Sequence, residues 1–279
     1  MRRGAVMWMV LSVLPALPAH AGQGAAPAPD AEAPVPVVEV QGLTDPDEHA
    51  YRKMIRGMDA FDTYRKLAPA GQLRYRLIPR LPGVRADGVT VTVQGAHVTL
   101  PVTLDADLAF TLPRNAQAWD DWARVVTNRK DRSFAWIADV RTPGLPPNVR
   151  RLGDLRLECE IDRQASLVSG YKSPGYLLID ATIDVCTTFP GGQWLYYGDR
   201  PIFNVTLVHG QRRQPVLASK MYGAFIPRLL WPFYDFQPYL LDRSFALKVA
   251  DTSWPDDTLV EIEAMDDPEP VDPTPEVPR

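Results

Sequence analysis

Hydrophobic residues recur along this chain at two periods, and each period predicts its own kind of element. From residue 51 the period is helical: Tyr51, Met54, Ile55, Met58, Phe61 and Arg65 share one stripe, and Arg52, Lys53, Arg56, Asp59 and Asp62 lie off it. Asp45, Pro46 and Glu48 stand where a cap, a first helical residue and a capping box belong. The spacing predicts a helix from Asp45 to about Leu67, ended by Ala68-Pro69-Ala70-Gly71. Its stripe can pack on a sheet or dock a partner protein. Packing is the ordinary fate of an amphipathic helix.

Past Gly71 the period falls to two. Leu73, Tyr75 and Leu77 alternate with Arg74 and Arg76. Val89, Val91 and Val93 alternate with Thr90 and Thr92, and Gln94-Gly95-Ala96 turns the chain into Val98, Leu100 and Val102. Leu108, Phe110 and Leu112 follow an acidic turn, Asp105-Ala106-Asp107. A short helix is predicted from Asn115 to about Thr127, with Trp119, Trp122, Val125 and Val126 on one side, and then a strand through Phe134, Trp136, Ile137 and Val140. In the second half Leu155, Leu157, Cys159 and Ile161 alternate with Arg156, Glu158 and Glu160 and read as a strand. Further strands are predicted at 176–185, 245–249 and 259–262, and a hairpin joins 203–208 to 215–219 through His209-Gly210-Gln211-Arg212. This pattern predicts a mainly β fold with one N-terminal amphipathic helix and one short helix. It is either a single antiparallel β-sandwich or two packed β-units, spanning 37–145 and 146–265 and meeting in the Pro/Gly stretch 142–148.

The two ends follow different rules. Arg2 and Arg3, the apolar run Ala5–Leu17 and the small residues Ala19-His20-Ala21 read as a secretory signal peptide, residues 1–21. It is too short to persist as a membrane span, and no cysteine follows it to carry a lipid. Residues 22–36 read as an Ala/Pro-rich disordered linker, and 266–279 as an acidic, Pro-rich disordered tail. The expected location is therefore periplasmic or secreted, without an integral membrane segment. The formal charge of −4 is no footprint for nucleic acid. An even pair of cysteines, Cys159 and Cys186, is most simply a disulfide in an exported chain. Cys186 alternates with Asp180, Thr182 and Asp184, so a bridge needs it beyond a strand end or at a bulge.

Residues 89–113 resemble a transthyretin-like, carboxypeptidase-regulatory β-sandwich. The likeness lies in the Val89–Val93 strand, Gly95, and the stretch from Thr103 to Pro113, Thr-Leu-Asp-Ala-Asp-Leu-Ala-Phe-Thr-Leu-Pro. The resemblance implies a scaffold or recognition role and no catalytic residues.

Catalytic motifs are otherwise missing. His49, His97 and His209 have no second His or Cys at ligand spacing. Ser169 and Lys172 have Ser-x-x-Lys spacing, but Gly170 and Ser173-Pro174-Gly175 make that stretch a loop. The carboxylate pairs Asp105/Asp107 and Asp256/Asp257 could hold a hard cation, although turn aspartates ordinarily serve backbone geometry. No metal and no cofactor is implied.

Two features stand above this background. Arg141, Arg150 and Arg151, leading into Asp154 and Arg156, could hold carboxylates or phosphates, or could form a salt-bridged sheet edge with Glu158, Glu160 and Asp162. The aromatic stretch 222–241, with Trp231, Phe233, Tyr234, Phe236 and Tyr239, is either a lid over the core or a contact surface. Together these predict a non-enzymatic exported β-sandwich protein that binds an envelope partner (protein, glycan or lipid) or supports envelope assembly. The expected binding residues are the five aromatics with Arg150 and Arg151. Two other readings are a carrier of a lipid or apolar small molecule, and an envelope hydrolase whose active site is assembled from distant residues.

Overall fold

The computed structural model describes residues 45–80, 83–167, 184, 186–187, 193–224 and 238–265, with only the backbone of 238 and 239. All of these belong to one compact unit, Gly42–Arg279. The predicted signal peptide, linker and tail, the Ser169–Lys172 stretch, and Trp231, Phe233, Tyr234 and Phe236 lie outside the described residues. So does the Tyr239 side chain.

The fold is mainly β. Thirteen strands and three α-helices occur among the described residues, and every strand pairing is antiparallel. One sheet runs β1(Pro46–Ala50)-β6(Arg124–Lys130)-β3(Val91–Gln94)-β4(Thr99–Val102). A second runs β5(Ala109–Phe110)-β2(Gln72–Pro79)-β7(Phe134–Arg141). A third runs β11(Arg212–Pro215)-β10(Ile202–His209)-β13(Leu259–Ala264)-β8(Val149–Arg151), and β12(Ser244–Leu247) pairs with β9(Trp194–Tyr197). In the stretch 89–113, β3 and β4 form a hairpin in the first sheet, and β5 joins the second.

Helix α1 spans Tyr51–Thr63, and its stripe of Tyr51, Met54, Ile55 and Phe61 is buried as its spacing predicts. Its start is corrected. Pro46–Ala50 is strand, paired with β6, so Asp45, Pro46 and Glu48 open no helix, and the Ala50 N-cap position carries no side-chain cap. Within that strand the Asp47 carboxylate accepts the Phe134 N–H at 2.7 Å and the Trp136 indole N–H at 2.8 Å.

The second helix is also shorter than predicted. Asn115 caps α2(Ala116–Asp120) by accepting the Ala118 N–H, and the helix stops where Trp122 takes a left-handed φ of 53°. Val125 and Val126 belong to β6, where β-branched side chains are at home. In the third sheet, Gly210 at φ 56° closes the predicted hairpin as a two-residue turn, and its second strand begins at Arg212 rather than Pro215.

The largest correction concerns residues 152–165. They form α3(Leu152–Ala165), a helix and not a strand. Alternation misleads here because the helix is buried nearly all round. Leu152, Leu155 and Cys159 enter the core of the second half, while Leu157, Ile161 and Ala165 enter the core shared with α1 and the second sheet. Each stripe advances by three or four residues, and two interleaved stripes mimic period two. Gly153 allows the close approach at its start, because a Cβ there would lie 2.0 Å from the Leu67 carbonyl oxygen. Cys159 is bonded to Cys186, as the cysteine count predicts.

Candidate functional site

The faces of the second sheet differ. Leu77, Tyr75, Phe134, Trp136, Ala138 and Val140 pack under α1 and α3. The alternate residues, Arg74, Arg76 and Ile78 of β2 and Ile137, Asp139 and Arg141 of β7, turn the other way. Ile78 and Ile137 pack with Leu240. The rest of that face is ionic.

This ionic face floors a cleft of about 590 Å³. Arg74, Arg76, Arg141 and Arg243 line it, with Asp107 and Asp199, and the loop from Thr142 to Pro147 walls it. Asp139 lies at its base, 1% exposed as a side chain. Burial raises the pKa of that carboxyl, but Arg150, Arg141 and Arg76 outweigh burial and hold it well below the carboxylate range. Arg141 reaches Asp139 at 2.7 Å and Asp199 at 3.6 Å. Arg74 meets Asp105, Asp107 and Asp139 at 3.0–3.1 Å. The Asp105/Asp107 turn thus holds an arginine and offers no cation cage.

Arg76 differs from its neighbours. It is 7% exposed, and among the described residues its only salt bridge is to Asp199, 2.5 Å from Nη1. Its Nε is buried and finds no acceptor among the described residues. A buried guanidinium N–H without a partner costs more than a weak one, and it lies on the side-on edge that takes carboxylates and phosphates in bidentate fashion.

Of the arginines singled out from sequence, Arg141 lines the cleft. Arg150 lies beneath it, buried, ion-paired with Glu158 and donating to the Val140 carbonyl at 2.7 Å. Arg151 is half-buried on β8 and does not line the cleft. Arg156 serves the loop before β13, donating to the carbonyls of Val249, Asp251 and Trp254 and pairing with Asp256. Sequence reasoning missed Arg74, Arg76, Asp139 and Asp199 as a group. Only the alternation of Arg74 and Arg76 with apolar residues signals them. Their acidic partners are far off in the chain.

Beside the cleft, α3 acts as a surrogate strand. Its carboxylates at 154, 158 and 162 accept the outward N–H groups of Thr142 (2.9 Å), just past the end of β7, and of Val140 (2.7 Å) and Ala138 (2.9 Å) on its edge. Four helical residues advance about 6 Å and two strand residues about 6.8 Å, so the registers match over three rungs. Asp47 closes the same edge at Phe134. This answers the sheet-edge alternative raised from sequence: the acids meet backbone amides as well as arginines.

Burial sets the charges of these acids. It pushes Glu158 up to about 7 against the pull of Arg150, Glu160 to about 7 against Arg163, and Asp162 upward against the Ala138 amide. A carboxyl raised in the folded state binds its proton before the unfolded chain does. Stability from these groups therefore increases as pH falls from about 7 towards the ordinary 4.5. Asp139 acts oppositely, since its depressed pKa gives stability that is lost below the ordinary 3.8. Thermal melting between pH 8 and pH 3 should thus show a maximum near pH 5. A melting temperature that declines steadily from pH 8 to pH 5 would contradict this.

No histidine joins the cleft lining. His49 packs edge-on against Trp136 with ring centroids 5.3 Å apart, and burial, with Lys53 and Arg124, lowers its pKa to about 4. Glu160, Asp184 and Cys186 come together, but the Cys186 sulfur is spent in the disulfide and Arg163 pairs with both acids.

Comparison with protein-family models, curated proteins and solved structures finds no match to this chain.

Proposed function

We propose that the protein is an exported, non-enzymatic binding protein that holds a partner of the cell envelope through an anionic group seated in the arginine cleft. The observation that carries this reading is Arg76, a nearly buried guanidinium lining an open cleft with an N–H left unpartnered. The disulfide, and the lack among the described residues of a helix long and apolar enough to cross a membrane, are compatible with export. The transthyretin-like character of residues 89–113 points towards recognition rather than catalysis. The ionic floor suits a polar ligand better than an acyl chain.

Calorimetric titration with tetraglutamate and with inorganic phosphate tests the reading. Saturable binding of at least one is expected, weakened about tenfold or more by Arg76→Met, which keeps the packing of the side-chain stem. The absence of binding by either probe, or equal binding by the Met variant with its fold intact, would sink it.

A further inference from the structure

Every arginine around the cleft already meets an acid, so an incoming anion gains most by exchanging with one of them. The candidates for exchange differ in how they are held. Asp139 is buried among arginines. Asp107 also accepts the Ala109 N–H. Asp105 shares Arg74 with two other carboxylates, so its departure leaves that arginine still paired. Asp199 is different on each count. Its side chain is 47% exposed, and among the described residues it is ion-paired with Arg76 and Arg141 alone and is the only acid within salt-bridge distance of Arg76. Its backbone is fixed independently of that carboxylate. The Gly198 N–H donates to the Arg243 carbonyl at 2.8 Å, and Arg243 donates to the Asp199 carbonyl at 3.3 Å. The side chain can leave without unmaking the turn.

We infer that Asp199 is a resident stand-in for the ligand, and that the group the cleft recognises is a carboxylate that displaces the Asp199 side chain from Arg76 and Arg141. This rests on the reading of the cleft as a binding site and adds to it the chemical class of the ligand and the residue that tunes its affinity. A carboxylate conserves the arrangement on exchange: one planar monoanion leaves two guanidinium groups and another arrives. The ligand then adds the side-on edge of Arg76, which Asp199 leaves unused. Asp199 keeps the arginines matched in the empty protein and weakens every anion that must compete with it.

The test is titration of wild type and Asp199→Asn with tetraglutamate and inorganic phosphate, with Asp199→Ser as a second variant and thermal melting to confirm folding. Asparagine should bind tetraglutamate about tenfold more tightly than wild type, and serine should do the same. Tetraglutamate affinity unchanged or weakened in both folded variants, while Arg76→Met still abolishes it, would overturn the displacement and leave the cleft reading standing. Binding of phosphate without tetraglutamate would overturn the carboxylate assignment alone. If Arg76→Met binds like wild type, the cleft reading falls and this inference falls with it.

Discussion

Glu158→Ala is expected to lower stability by about 3–5 kcal/mol, the cost of removing one partner from a buried ion pair. The large value follows from what the truncation leaves behind. Arg150 is buried beside Glu158, and once that carboxylate is gone the nearest acid is Asp139 at 3.9 Å. The Val140 N–H loses its acceptor at the same time, on a sheet edge that no strand among the described residues covers. Glu158→Gln separates the two effects. The amide oxygen can still accept from Val140 and Arg150, and burial already raises the pKa of the acid it replaces. The glutamine variant should therefore lose only about 1 kcal/mol at pH 7. Chemical denaturation of the three proteins at pH 7 measures the ladder directly. Equal losses for Ala and Gln would show that the rung is not an amide acceptor. No loss for Ala would show that Arg150 finds another partner and that the surrogate-strand account of α3 is wrong.

The parts of this fold that could be read in the sequence are those where one face of an element meets water. The α1 stripe and the β10–β11 hairpin each have a wet side, and in β2 the arginines face an ionic cleft, so period and polarity report the element. α3 has no wet side. Its acids and arginines are buried because β7 amides and loop carbonyls receive them, and a polar residue satisfied by backbone looks in sequence like a solvated one. The start of α1 failed for a related reason. Asp45, Pro46 and Glu48 satisfy a local rule, but β6 offers residues 46–50 a ladder that only tertiary structure reveals. The cleft was legible as ingredients and not as a site. Arg74 and Asp139 are 65 residues apart, and Arg76 and Asp199 are 123 apart, so no local motif joins them. Arg141 was found because it sits in a visible cluster. Arg150 came from the same cluster and proves to lie under the floor, where it keeps Asp139 ionised.

Breaking the Cys159–Cys186 bond is the second change expected to act strongly, and it bears on where the chain can fold. Closing a loop of about 27 residues restricts the unfolded chain by about 3–4 kcal/mol in the chain-entropy account. Both cysteines are buried in the core of the second half, the cluster that includes Leu155 and Tyr196, so the bond also ties α3 to that core. A Cys159→Ala/Cys186→Ala protein loses the constraint and adds a small cavity. For a chain of this size the melting temperature should fall by about 10 °C. Calorimetry of wild type with and without reductant, beside the double variant, is the measurement, and reduced wild type should approach the variant. An unchanged melting temperature in both would mean that the bond restrains nothing and would remove the stability argument for an oxidising compartment. The expected loss is a large share of the 5–15 kcal/mol that holds a typical domain together. A loss of that size would match the exported location proposed above, since disulfides persist where thiols oxidise.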